Sequence, residues 1–451
     1  MFTNKCRNEC YKSYLGITQI LRNKYKKAVD PSHVNELPIF QYASSEPKTH
    51  KRIYTWGVAA HGAQGDGEFV RPKNRSIQPK LAVKRPHRLE FGEFHDVKDV
   101  SCGYGFSVFA VKSKDNNKVF GCGLNATSQI GYQSARKGAP LEILLEPVPI
   151  SIPYINPSET RVRSVACGRA HTVVATDEGV FTLGHNGYGQ CGRRIIPNEE
   201  YFGSKIVHKV PELQDLDVTD VVCGQDHSIF LCKTGKVLAC GWSADGQTGV
   251  SHYDNQEEPA EVMGDIQGEK IVKVATSADC VLAINGNGDL FGWGNNEYGQ
   301  LNSATEDMQL NVSRILKLPP YVGKIIDIAV GGTVCIILND RGSVFTWGYG
   351  LLGKGPKLDQ STNPEEIPPT LFGKSELNSN RKVRKIFAGI NNFYAVNDNG
   401  DAYAWGRNKD FSLGLNHNKN QYFPLKVALP CRVQKLSVGV DHTIAICTSY
   451  T

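Results

Sequence analysis

Long apolar runs are absent. Nowhere does the chain approach the ~18 consecutive apolar residues that a membrane-spanning helix needs, so a protein crossing a bilayer by helices is excluded. Methionine is scarce, three in 451 residues, which argues against an adaptable Met-lined groove. The thirteen cysteines are odd in number and none shows Cys-x-x-Cys spacing, so neither a zinc site nor a disulfide framework is indicated. Most close apolar runs, as at Cys102, Cys167 and Cys223, and read as small buried thiols of a reducing compartment. Helical periodicity is missing after residue 30. Signatures of catalysis are missing too: there is no Gly-x-Ser-x-Gly elbow and no His-Glu-x-x-His run. The Gly-rich run Trp347 to Pro356 lacks the Lys-Ser/Thr ending of a phosphate-binding loop. The expectation is therefore no catalytic residue, no metal ligand and no cofactor.

Acidic residues are nearly absent from residues 1–29, where seven Lys or Arg face only Glu9. The rest of the chain holds 44 basic and 44 acidic residues, so the whole net charge of +6 sits at the N-terminus. A neutral body is not the footprint of a protein that wraps DNA by bulk charge. The basic segment can place Tyr11, Tyr14, Leu15, Leu21 and Tyr25 on one side of a short helix, the pattern of a mitochondrial presequence. A solvated basic tail is the alternative. The expected division is a presequence at 1–30, a linker at 31–49 and a folded body at 50–451.

Glycine is in excess, and it is periodic. An apolar alternation ending in glycine recurs seven times, at Trp56-Gly57, Cys122-Gly123, Leu183-Gly184, Cys240-Gly241, Trp293-Gly294, Trp347-Gly348 and Trp405-Gly406. Those glycines are 66, 61, 57, 53, 54 and 58 residues apart. A polar turn follows, often Asn-x-x-Gly-Gln, as at Asn186 to Gln190 and Asn296 to Gln300. All five tryptophans touch this motif, as expected of equivalent packing sites. A second motif precedes it, Cys-Gly-x-x-His at Cys167 to His171 and Cys223 to His227, with degenerate copies elsewhere. In six copies the two glycines are 16 to 20 residues apart, enough for a strand, a tight turn and a second strand.

The last upstream copy, at Gly439, has only 12 residues after it, and the first downstream copy, at Gly57, has no upstream partner. These orphans complement each other if an N-terminal strand pairs with the C-terminal hairpin, which removes the open edges of a linear array. The predicted class is all-β: a seven-bladed propeller closed by pairing of the N- and C-terminal strands.

Cys-Gly-x-x-His-(Ser/Thr) followed by Phe-x-Trp-Gly-x-Asn-x-x-Gly-Gln resembles the regulator of chromosome condensation repeat family, over about residues 50 to 451. Stretches such as Tyr188 to Arg193, Cys240 to Gly249, Trp347 to Pro356 and Ile367 to Gly373 look like its mitochondrial exchange-factor-like branch. That resemblance implies a mitochondrial protein of the matrix or the inner-membrane periphery, and guanine-nucleotide exchange on the dynamin-like GTPase of inner-membrane fusion. It implies as an alternative an RNA-binding scaffold in assembly of the mitochondrial large ribosomal subunit and its ribosomal RNA.

His171, His227 and His442 occupy one repeat position. Because equivalent positions lie apart around a ring, they are expected to satisfy backbone groups at strand ends rather than to hold a metal. Arg169, Asp226, Asp279 and Asp441, in the turns just before that position, are candidates for partner contacts, with turn capping as the plainer role for the carboxylates. The first insertion carries Arg71, Lys73, Arg75, Lys80, Lys84, Arg85 and Arg88 with no acid between Glu68 and Glu90. It could grip phosphates of RNA or anionic lipid headgroups, or be a solvated loop. No aromatic residues interleave with it, so base stacking is not indicated. The second insertion, Tyr132 to Arg161, is a flap over its blade or a wedge for a partner.

Overall fold

The computed structural model describes residues 51–449 except 75, 136, 137, 302, 303 and 306. The expected presequence and the linker lie outside these residues. The described chain forms seven four-stranded antiparallel sheets, one per repeat. In six blades the strands run in chain order from the axis outward, beginning with Val97–Cys102, Phe106–Val111, Val119–Leu124 and Ile143–Pro149 in the first. The seventh is composite. Its two inner strands, Arg432–Val438 and His442–Thr448, pair with Lys51–Val58, which in turn pairs with Ala82–Leu89. Trp56 faces Thr443 and Gly57 faces His442 across the join. The predicted closure by the two ends is thus what the chain does.

The repeat glycines have a steric cause. At the end of each third strand the glycine adopts positive φ, as at Gly57 (105°), Gly294 (92°) and Gly406 (113°). A Cβ on Gly294 would collide with the carbonyl oxygen of Asp279, and the other six face the equivalent oxygen. Only glycine satisfies both demands. In Cys-Gly-x-x-His the constraint differs: a Cβ on Gly168 or Gly224 would overlap the imidazole three residues later. The ring lies on the glycine, which explains why the two are spaced together.

The remaining motif residues staple blade to blade. Gln190 Oε1 accepts from Tyr188 N (2.9 Å) and Asn186 Oδ1 from Cys191 N (2.9 Å), which closes the loop after the third strand. The backbone carbonyl of that glutamine then serves the next blade. Ser228 Oγ donates to Gln190 O (2.7 Å), Thr172 Oγ1 to Gln129 O (2.7 Å), and Trp293 Nε1 to Gln247 O (3.0 Å). Trp56, Trp293 and Trp405 are fully buried. Trp242 breaks the expected equivalence: it follows its glycine instead of preceding it and is only partly buried.

All seven innermost strands carry a bulge at the same place, for example between Val97 and Asp99 and between Val433 and Lys435. Charged side chains at this level link neighbours. Asp99 accepts from Val165 N of the next blade (3.1 Å) and pairs with Lys435 of the closing blade; Asp327 accepts from Ile386 N (3.0 Å) and pairs with Lys273. The exposed outermost strands are blunted by proline, at Pro86, Pro147, Pro259, Pro364 and Pro424, which removes donors from edges that would otherwise template another strand. The second insertion is not a flap lying over its blade. It contains its blade's own fourth strand, Ile143–Pro149, and buries Leu144, Ile150 and Ile152.

Candidate functional site

The turns between first and second strands, and the loops between third and fourth, emerge on one face. Arg169, Asp226 and Asp279 come from consecutive blades there. Arg169, half-exposed, pairs with Asp226, with Nε 3.3 Å from Oδ1, while Asp226 is nearly buried. Burial pushes Asp226 up against the opposing pull of Arg169. Asp279 accepts from Gln247 Nε2 (2.9 Å), and burial, aided by Asp245, raises it to about 6. Tyr104 faces the same charges and is raised by its own burial. The three residues therefore form one rim of mixed charge in which the carboxylates lack full compensation.

Asp226 and Asp279 are engaged by side chains rather than by backbone N–H, whereas Asp441 takes both its own backbone N–H and the His442 ring. Asp441 lies apart from the rim, with Oδ1 2.7 Å from His442 Nδ1. Despite its burial, that imidazole holds Asp441 below the usual carboxylate range.

Beside Arg169 stands an aromatic shelf that sequence reasoning missed. Tyr188 packs edge-on to Trp242 (4.9 Å), and His185 lies 5.7 Å from Tyr188 and 4.7 Å from Tyr201. The available signal was Trp242, which follows its repeat glycine and so stands two positions beyond the place of the other tryptophans. Partly exposed Tyr and Trp around an Arg are the residue types on which protein interfaces concentrate their binding energy.

The histidines bond side chains, not backbone. His171 Nε2 is 3.0 Å from Ser228 Oγ of the next blade, and His442 Nε2 is 2.7 Å from Ser107 Oγ. Each hydroxyl hydrogen is already given to a carbonyl, Gln190 O or Ala63 O, so each Nε2 is the donor. Asp441, His442 and Ser107 thus line up like a hydrolytic triad, but Ser107 and His442 are wholly buried and the hydroxyl proton is committed elsewhere. Among the described residues no cluster of His, Cys, Asp and Glu is arranged to hold a metal, and all eleven cysteines are free, ten of them buried.

The basic insertion divides in two. Lys73 and Arg88 are matched by Glu68 and Glu93. Arg71, Lys80, Lys84 and Arg85 are exposed and have no carboxylate partner among the described residues, while Arg75 lies outside them. Aromatic residues from outside the basic run attend two of these cations: Lys80 Nζ stands 5.4 Å over the Phe69 ring and Lys84 Nζ 5.3 Å over Phe411, which belongs to the sixth blade.

Comparison with known proteins agrees with this geometry. The RCC1-like domain model matches residues 203–451, and regulator of chromosome condensation (RCC1) repeats match 116–175 and 162–190. The chain belongs to the RCC1 repeat family. This RCC1-repeat chain is 44% identical over 426 residues to the human RCC1-like G exchanging factor-like protein, covering 92% of its own length and 90% of the relative. The crystal structure of human WBSCR16 superposes with a TM-score of 0.83 at 44% identity, covering 89% of this chain and 100% of that one. A further relative, the Arabidopsis thaliana RCC1 domain-containing protein RUG3, mitochondrial, is 24% identical over 89% of each chain. Yeast RCC1 (Prp20) shares the fold at 18% identity, with a TM-score of 0.71 over 90% of each chain. No helix among the described residues is long and apolar enough to cross a membrane.

Proposed function

We propose that the rim of Arg169, Asp226 and Asp279, with the shelf of Tyr188 and Trp242, docks a GTPase in its nucleotide-free form and speeds nucleotide release. The observation that carries this reading is the convergence of an under-compensated charge cluster and exposed aromatics on one sector of one face. The name of the 44% identical relatives, which describes exchange-factor-like proteins, supports it. Exchange needs no bond chemistry. A ring that binds the empty GTPase more tightly than the loaded one lowers nucleotide affinity by the same factor, as linkage requires. The basic residues 1–29 and the mitochondrial relative support a mitochondrial setting, in the matrix or at the inner-membrane periphery, with the dynamin-like fusion GTPase as partner. The test is release of fluorescent GDP from that purified GTPase. Acceleration by the wild-type chain, reduced at least tenfold by Trp242→Ala with Arg169→Ala, is the expected result. Release unchanged by the wild-type chain would sink the reading.

A second reading, a scaffold for ribosomal RNA of the mitochondrial large subunit and its assembly factors, is favoured by the four unpartnered cations of the first insertion.

A further inference from the structure

Those cations are not a loop in solvent; most of them line a groove. Strand Ala82–Leu89 of the closing blade forms one wall and residues of the sixth blade and its exit form the other, at Asn416 and Ala428. Asn416 N donates to Lys84 O (2.9 Å), which pins the two walls together. The groove encloses about 680 Å³ and is lined by Lys80, Lys84, Arg85 and His87, with Phe69 beneath. No lining residue is acidic. The half-buried Asp66 is engaged by His87 (3.1 Å) and also interacts with Lys80. Because its walls come from opposite ends of the folded sequence, the groove exists only in the closed ring.

We infer that this groove binds a single-stranded phosphodiester chain without regard to base sequence. The inference deepens the second reading above by naming its site and ligand chemistry, and it is independent of nucleotide exchange. Three exposed cations without an ion-pair partner, only Lys80 being near a carboxylate (Asp66), make the groove attractive to an anionic chain. The groove is concave, which suits a chain rather than a flat bilayer. An acidic peptide adding itself as a further strand is disfavoured by Pro86, which deletes a donor from the edge it would use. Sequence independence follows from the aromatics: Phe69 is buried under Lys80 and Phe411 carries the Lys84 ammonium, so the rings orient the cations instead of offering free faces to bases.

The experiment is fluorescence anisotropy of the full chain with a labelled mixed-sequence single-stranded RNA of about 20 nucleotides, between about 50 and 200 mM KCl, conditions over which phosphate contacts are strongly salt-dependent. Lys80→Glu/Lys84→Glu/Arg85→Glu is expected to weaken binding roughly tenfold or more. It should also make the slope of log K against log salt shallower by about 2, at roughly 0.7 per lost contact. The Gln triple variant, with an unchanged thermal midpoint, should fall between, which separates lost contacts from misfolding. The basic N-terminal segment is common to all variants, so differences among them report the groove. Wild-type affinity and slope in the Glu variant would overturn the groove while leaving the second reading standing. No RNA binding by the wild type would overturn both. Tighter binding to anionic vesicles than to RNA, lost in the Glu variant, would reassign the groove to a membrane surface, and a strong base preference would overturn sequence independence.

Discussion

His171 and His442 sit at the same repeat position, are equally buried, and donate Nε2–H to the same kind of hydroxyl, yet they carry opposite charge states. Burial drives His171 and His227 down to about 3, and in both the buried Nδ1 is without a partner. At His442 burial also pulls down, but Cys102 and Asp441 beside the ring outweigh it and lift the imidazole to about 10. The difference is the pair of groups beside the ring, Cys102 and the Asp441 carboxylate against Nδ1. At the level of the histidine the join between the second and third blades is therefore neutral, its ion pairs Arg169–Asp226 and Arg163–Asp217 lying elsewhere. The join that closes the ring is ionic, with His442 and Lys435 on the closing blade and Asp99 on the first. The fixed residues of the motif thus set geometry, and the groups that face the ring set its charge.

Acid separates the two kinds of join most strongly. His171 and His227 have folded pKa values below their unfolded value near 6.5, so stability is full above that pH and is lost as pH falls toward 3. The loss reaches at most about 4–5 kcal/mol for each ring. His171→Asn/His227→Asn should remove that part of the acid sensitivity in urea unfolding at pH 4 compared with pH 7; an unaltered pH dependence would break the comparison. His442 has the opposite sign: its contribution is complete below 6.5 and declines as pH rises through 10. A His442→Asn variant should therefore lose the alkaline part of the stability curve.

Removing the deciding carboxylate comes next. Asp441→Asn leaves a buried imidazolium unpaired and should cost about 3–5 kcal/mol in urea unfolding, with the His442 pKa falling by NMR titration. The smallest contrast lies in the hydroxyls. Ser107→Ala strands a charged donor and should cost about 1.5–3 kcal/mol, whereas Ser228→Ala strands a neutral one and should cost about 1. Equal losses would show that the two joins do not differ in charge.

The ring was legible because steric demands repeat: a glycine forced to positive φ against a carbonyl, and a glycine beneath an imidazole, leave the same residue at the same interval seven times. Closure was legible from arithmetic on incomplete repeats. The rim was only partly so. Arg169, Asp226 and Asp279 could be picked out by position, but their convergence without Asp441 depends on which blades are adjacent. Trp242 resembles the other tryptophans in sequence, but it lies two positions further on, past the positive-φ Gly241 that ends strand Val237–Gly241, and so leaves the core for the loop face. The groove was least legible, since Phe411 and Asn416 are remote in sequence from the cations they face. The histidine bonds were misassigned because their acceptors belong to the following repeat, which no local pattern reveals.

Strand Lys51–Val58 is among the first folded segments to be synthesised, and its partner His442–Thr448 is among the last. During translation six sheets can form outward from their own hairpins, while the first waits with an unpaired edge for nearly the entire chain to be made. The slow step of biogenesis is then a single long-range pairing, and the species most exposed to aggregation is the almost finished one. A ribosome that stops before His442 leaves a ring with no way to shut.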